Sequence, residues 1–409
     1  MQRSAATTSW RAGPQGGLAA ALTETLMLQL AEIKSPLRGQ VVGRDAVSEL
    51  VSAWEALSKN SVEDNVYYCP RYAQALMKNV ERDVELRFAL VWEGADLIAL
   101  LPFTAPRINI PIAGTGAQAW QTKYIFSCAP LLDKQRFTEA ADTLLDVMAS
   151  SHSGEWVLPN IYTQGAACQA MTKALKANGR PWLFANKFMR ATLETGASFD
   201  ALMQSHVSSK RRRELARNRR RLEELGPVTH EIHRCGPELE NAVAAFLQIE
   251  ASGWKGKRGT ALASAPATKQ FAVDVFTGSE AESICRADVL TLAGKPVAVS
   301  LTLFAGRTGF AVKCAYDEAY RAYSAGLLLE LEVMRSLLSG SWADRLDSGT
   351  DGKHVIDGLW PGRLEVADLI FSCAPHYPQL RVSAFQRAEQ VKQAAKRATK
   401  SLISRLVEL

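Results

Sequence analysis

The chain has 409 residues, 47% hydrophobic and 22% charged, with a formal net charge of +6. That length exceeds one ordinary hydrophobic core, so two domains are expected, with the composition of a soluble globular protein. No stretch approaches the ~20 apolar residues of a membrane span, the start lacks a secretory signal pattern, and seven scattered cysteines and six unclustered histidines point away from disulfides and metal.

Residues 1–40, opening on a run rich in Ala, Thr, Gly and Gln, carry little ordering pattern and are expected to be a flexible tail. Helical spacing at Val47–Leu57 and Tyr72–Lys78 flanks a turn-like stretch from Lys59 to Pro70. Strands are predicted at Glu85–Trp92 and Leu97–Thr104, joined at Glu93-Gly94-Ala95-Asp96. The pentapeptide Phe126–Pro130 recurs at Phe371–Pro375, and in each half it is expected after the meander and helix. Together with a similar later hairpin, this suggests two copies of one α/β unit, at 41–195 and 228–380.

Between Ser208 and Gly226 eight basic residues face three acidic ones, a local charge of +5, predicting a basic linking helix within 196–227. Anionic lipid, a phosphorylated substrate or plain solvation all fit such a helix. Nucleic acid is not expected, because no aromatics are interleaved. Residues 381–409 also carry +5, and Phe385, Ala388, Val391, Ala395, Ala398, Leu402 and Leu406 fall along one face. Both an interfacial membrane helix and docking on the protein's own surface fit that pattern.

The most informative stretch is 286–338. Strands are predicted at Arg286–Leu292, Val297–Phe304 and Thr308–Ala315, and Leu328, Leu331, Met334, Leu337 and Leu338 then follow helical spacing from Leu327. A helix starting on the glycine-bearing turn Tyr316–Gly326 would leave backbone N–H groups free for a phosphate. Ordinary turn chemistry fits the same residues.

Arg321-Ala322-Tyr323-Ser324-Ala325-Gly326 resembles the Gln/Arg-x-x-Gly-x-Gly/Ala acyl-CoA loop of the GNAT acyltransferase superfamily, with Ser324 in place of the first glycine. Residues 45–375 are similar to the CelD/BcsL family of GNAT-like proteins, linked to bacterial cellulose and exopolysaccharide production. Three phrases carry that likeness: Ser252–Leu262, the loop just named, and Asp347–Trp360. The family loop usually ends in Ser-Pro-Gly, so Ser324-Ala325-Gly326 lacks the preset proline φ. The resemblance implies an α/β fold of two tandem GNAT-like domains, with the second binding acetyl-CoA or another acyl-CoA through Arg321, Tyr323, Ser324, Ala325, Gly326 and Leu327. It further implies that the 308–315 strand pairs with the pantetheine arm, and that the first unit is a substrate-side or structural partner.

Acyl transfer of this kind needs a base, and His354 is a candidate because imidazole titrates near neutrality and Asp347, Asp351 and Asp357 lie close in sequence. Asp347 is the candidate to orient it, and Tyr320, with Tyr323, is a candidate proton donor to the departing thiolate. Trp254, Lys255, Gly259 and Thr260 form a predicted loop whose aromatic face suits a sugar ring and whose cations suit phosphate. Asp351 and Trp360 complete the expected substrate-side set, while a surface turn, packing or a solvated loop would also account for these residues. The resemblance implies an acyl-CoA-dependent N-acyltransferase for an amino sugar or related envelope precursor, expected in the cytoplasm or peripherally at the inner membrane. A FemAB-like aminoacyl or lipid N-acyltransferase, with a small-molecule or lipid-linked amine as acceptor, is the first alternative. A non-catalytic subunit of a polysaccharide-synthesis machine is the second.

Overall fold

The computed structural model describes residues 36–374 apart from 111–113 and 353, together with 380, 382–387 and 391. Most of both expected tails lies outside the described residues. The first half contains β1 (Leu37–Gly43), α1 (Arg44–Ser48), α2 (Val51–Lys59), α3 (Pro70–Asn79), β2 (Leu86–Glu93), β3 (Asp96–Ile110), β4 (Gly114–Ala119), β5 (Leu131–Leu132), α4 (Phe137–Ser151), β6 (Glu155–Tyr162), α5 (Ala166–Ala177) and β7 (Trp182–Glu194). Helices α6 (Phe199–His206) and α7 (Ser209–Glu223) connect it to the second half. There follow β8 (Val228–His233), α8 (Gly236–Ser252), α9 (Trp254–Lys257), α10 (Pro266–Phe276), β9 (Cys285–Leu292), β10 (Lys295–Ala305), β11 (Thr308–Tyr316), α11 (Ala325–Gly340), β12 (Arg345–Asp347) and β13 (Gly362–Ser372).

Local chemistry explains the meander that matters most. Ala293 and Gly294 both take positive φ, 48° and 78°, which suits the twist of a two-residue hairpin between β9 and β10. Lys295 and Pro296, expected in that turn, begin the second strand instead. Along these strands alternate residues serve opposite faces: Val289, Val299 and Leu301 join one core with α8 and α10, whereas Leu290 and Ala298 join another with α11. Residues 254–260, predicted as a loop, open as the helical turn α9. A Cβ on Gly256 would lie 1.7 Å from the Ala251 carbonyl oxygen, so only glycine lets the chain reverse this tightly after α8.

The described strands form one sheet in the order β1-β2-β3-β4-β6-β13-β7-β12-β11-β10-β9-β8, with β5 pairing β3. Each half repeats one scheme: an antiparallel meander, β1 to β4 or β8 to β11, whose last strand pairs in parallel with the next long-sheet strand, β6 or β12. The halves also exchange their final strands. β7 of the first pairs with β12 of the second, β13 of the second pairs with β6 of the first, and β7 and β13 pair with each other. The duplication therefore rests on strand order and not on the repeated pentapeptide. Phe126–Pro130 precedes α4, while Phe371 and Ser372 end β13, so the two copies occupy unlike positions.

Described residues 382–387 are helical and dock on the protein itself, where Val382 and Phe385 pack fully buried with Val157, Ala185 and Ile370. A Cβ on Gly116 would come within 2.6 Å of the Phe385 ring, so glycine makes room for that docking. No described helix is long and apolar enough to cross a membrane.

Candidate active site

In the second half, β12 pairs with β11 only at Thr308–Phe310, after which the two parallel strands separate. The edge of β11 from Ala311 to Tyr316 thus faces a gap, because β10 occupies only its other edge. Val312 is an extra residue in that ladder, since Leu301 pairs with Lys313 and Thr302 with Ala311. Such a bulge locally re-aims the strand beside the gap. A cavity of about 430 Å³ fills the opening, lined by β11, by Ser348, Gly349 and Thr350 after β12, by the start of α11, and by Phe126 from the first half.

At one end lies the turn into α11. Ser324 adopts a left-handed conformation, φ 57° and ψ 40°, the geometry glycine accepts most readily. The buried Asn218 of α7 donates from Nδ2 to the Ser324 hydroxyl at 3.1 Å, bracing the turn from behind. Helix α11 has no side-chain cap, and its positive dipole end opens on the cavity beside Arg321, Ser324, Gly326 and Leu327. Ala325 is buried behind them. Gly326 lies close to Tyr316, where a Cβ would approach the ring to 3.1 Å. Tyr323 is turned outward beneath the Arg221 guanidinium, 5.1 Å from its ring centre, and Tyr320 packs beside Tyr323 with ring centres 6.4 Å apart. Neither tyrosine lines the cavity.

The cavity wall also holds Glu330, one helical turn beyond Gly326 on α11. Burial pushes its carboxyl up to about 7; Trp360 opposes the rise through an Nε1–H bond at 2.9 Å, and Asp288 adds to it. A carboxyl poised there holds or releases a proton at neutral pH. Asp288 itself is kept low despite burial by Arg286, which donates from Nε and Nη2 at 2.8 Å each, and by His230.

Several expected roles shift accordingly. Trp360, expected to touch substrate, is fully buried and holds Glu330. His354 does line the cavity, but its Nδ1 accepts the Ile356 N–H at 3.3 Å as a helix cap. A neutral ring in that bond carries its hydrogen on Nε2 and offers the cavity a hydrogen-bond donor, while Nδ1, the atom that would take a proton, is engaged by the backbone. Among the described residues no carboxylate orients it: Asp357 accepts the His354 backbone N–H at 2.8 Å, and Asp347 is fully buried, accepting the Gly349 N–H at 2.7 Å with Arg190 Nη1 at 3.6 Å. Asp351 is exposed beyond the lining.

Arg190, on β7, was not singled out from sequence. Its Nη1 donates to the Phe126 carbonyl at 2.9 Å and its Nε to the Thr350 carbonyl at 3.0 Å, tying one cavity wall from each half together. On the α8 side, Lys255 lines the cavity and pairs with Glu250 at 2.9 Å. Trp254 stands 51% exposed beside it with the Arg258 guanidinium 5.3 Å over its ring, while Gly259 and Thr260 are exposed and outside the lining. Among the described residues no cluster of His, Cys, Asp or Glu could hold a metal ion.

Residues 209–354 match the acetyltransferase (GNAT) domain family, a span that runs from the first residue of α7 to His354 and contains the cavity's second-half lining apart from Val355 and Ile356. Among solved structures, the chain is similar to the C-terminal domain (DUF2156) of a protein assigned as a lysylphosphatidylglycerol synthetase from Agrobacterium fabrum, at 12% identity and a TM-score of 0.51, over 83% of this chain and 95% of that one. It is also similar to FemX, at 11% identity and a TM-score of 0.48 over 77% and 95%. A tandem GNAT protein from the clavulanic acid biosynthesis pathway aligns at 12% identity and a TM-score of 0.41, over 84% and 100%. No curated protein matches in sequence. The fold is that of two tandem GNAT-like units, and a GNAT domain implies an acyl-CoA co-substrate.

Proposed function

We propose that this chain, whose residues 209–354 match the GNAT domain family, transfers an acetyl group from acetyl-CoA to an amino sugar or related bacterial envelope precursor, with Glu330 as the base. The observation that carries this reading is the free β11 edge, Ala311–Tyr316, leading from the first-turn amides of α11 to the gap beside β12. An extended pantetheine arm adds to such an edge as a strand does, while the pyrophosphate meets the helix N-terminus. Its thioester then reaches the bulge at Val312.

The amine nitrogen attacks the thioester carbonyl carbon, the C–S bond breaks, and the proton lost by nitrogen passes to Glu330. The thiolate leaves and takes a proton from solvent in the open cavity, and the Nε2–H of His354, which lines the cavity, is a hydrogen-bond donor for the departing sulfur. An amino-sugar acceptor is supported by Trp254, an exposed ring in a small pocket that adjoins the cavity at Lys255 and Tyr316 and offers a face to a pyranose. The wider CelD/BcsL and exopolysaccharide assignment rests on the sequence resemblance.

Calorimetric titration with acetyl-CoA and with a long-chain acyl-CoA, beside Gly326→Trp, tests the donor site. Binding of acetyl-CoA that the variant loses is expected. Tighter binding of the long chain would replace the sugar reading by a lipid one, and no binding of either would leave the non-catalytic alternative.

A further inference from the structure

The face of β11 turned away from α11 carries a cation that donor binding leaves unused. Lys313 pairs in register with Leu301, whose side chain packs with α8, so its ammonium enters the cavity from the side opposite Glu330 and the α11 turn. Its charged neighbours are few. Lys255 is matched by Glu250, which also accepts the Leu262 N–H at 2.8 Å. Glu318 is taken by the Trp254 N–H at 2.8 Å and by Lys257 at 3.7 Å. Lys123 adds a further positive charge: its Nζ and that of Lys313 lie 5.0 Å and 5.9 Å from the same Tyr124 ring centre. Lys255 and Lys313 thus line this end of the cavity with Lys123 nearby, and the neighbouring carboxylates Glu250 and Glu318 are already bonded elsewhere. Burial lowers the Lys313 ammonium to about 8, with Glu250 opposing the shift and Lys255 and Lys123 adding to it.

We propose that the acceptor amine carries an anionic group, a phosphate or a carboxylate, and that Lys313 receives it and thereby sets acceptor specificity. The inference rests on the acyltransfer reading above. The anion completes the charge balance that the protein leaves open, fixes the acceptor at the α8 side of the gap, and turns its amine toward the thioester and Glu330.

The test compares acetylation of glucosamine, glucosamine 6-phosphate and muramic acid by the full chain, three amino sugars that are neutral, phosphorylated and carboxylated outside the amine. One or both anionic sugars are expected to exceed glucosamine in kcat/KM by about tenfold or more, mainly through KM, and which one does so separates phosphate from carboxylate. Lys313→Met should bring that ratio near one and Lys313→Arg should largely restore it, with the acetyl-CoA Kd of each variant measured alongside. Equal use of all three sugars by wild type that binds acetyl-CoA, or an unchanged preference in Lys313→Met, overturns the inference while the acyltransfer reading stands. Failure of wild type to bind acetyl-CoA overturns that reading, and this inference with it.

Discussion

The two halves share one strand scheme and differ in what happens where their parallel strands meet. In the second, β11 runs six residues past its last pairing with β12, and the chain then turns through a short 3₁₀ helix, Glu318–Tyr323, into α11, leaving a gap. In the first, β4 ends at Ala119, immediately after Gln118 pairs with Val157, and the chain turns inward. Trp120 is 1% exposed, its carbonyl accepts the Tyr68 hydroxyl at 2.8 Å, and Ile125, Cys128, Ala129, Leu131 and Leu132 are buried behind it. Asn65 secures this segment through the Ala129 carbonyl at 2.8 Å. One copy fills its cleft with its own chain, and the other keeps it open. The filled copy then serves the open one, because its inward segment presents Phe126 to the second cavity under the grip of Arg190. Duplication here separates packing from binding.

The sharpest way to break this comparison is at the carboxyls. Glu330→Gln should lower kcat by about 10²–10⁴ with little change in acetyl-CoA affinity. In wild type, activity should rise with pH through about 7 as Glu330 sheds its proton, and a pH–rate profile of the variant should lack that limb. On the packed side, Trp120→Ala should cost about 3–5 kcal/mol in denaturant unfolding, the loss expected for a fully buried large aromatic, without moving the pH limb.

Glu63, in the first half, is also raised to about 7, chiefly by burial, but it caps α5 through the Ala167 N–H at 3.2 Å and borders no part of the Glu330 cavity. Its folded value lies above its ordinary 4.5, so its stabilising contribution is full below pH 4.5 and lost as pH rises through 7, about 3 kcal/mol in all. Unfolding measured at pH 5 and pH 8 should show Glu63→Gln flattening that dependence by about this amount, and the kcat profile should stay as in wild type. Ser324→Gly should move stability least, by about 1 kcal/mol or less, since relief of the left-handed conformation is offset by the lost partner of the Asn218 amide. Its acetyl-CoA Kd should change less than about tenfold; a larger loss would mean that the hydroxyl itself holds the coenzyme.

The second meander was readable because glycine and β-branched residues punctuate and fill it, and its helix because Leu328, Met334 and Leu337 recur along one buried face. Glu330 sits on that same face, four residues from both Gly326 and Met334, and a lone carboxylate in an apolar stripe is the signal that could have found it. His354 drew attention instead because it stands among three aspartates in sequence. Space separates them: Asp347 turns to Gly349 and Arg190, and Asp357 to a backbone amide.

By itself the sequence determined the strands of the second meander and the glycine-bearing start of α11, because these follow from φ preferences and periodicity within a few residues. The tertiary structure decided which cleft stays open, which final strand joins which half, and which carboxyl is buried enough to titrate near neutrality. Those outcomes depend on partners such as Arg190 with Phe126, 64 residues apart in the chain, and Trp360 with Glu330, 30 residues apart. Burial and charge shift a group's chemistry through whatever surrounds it in space, and that neighbourhood exists only after the chain has packed.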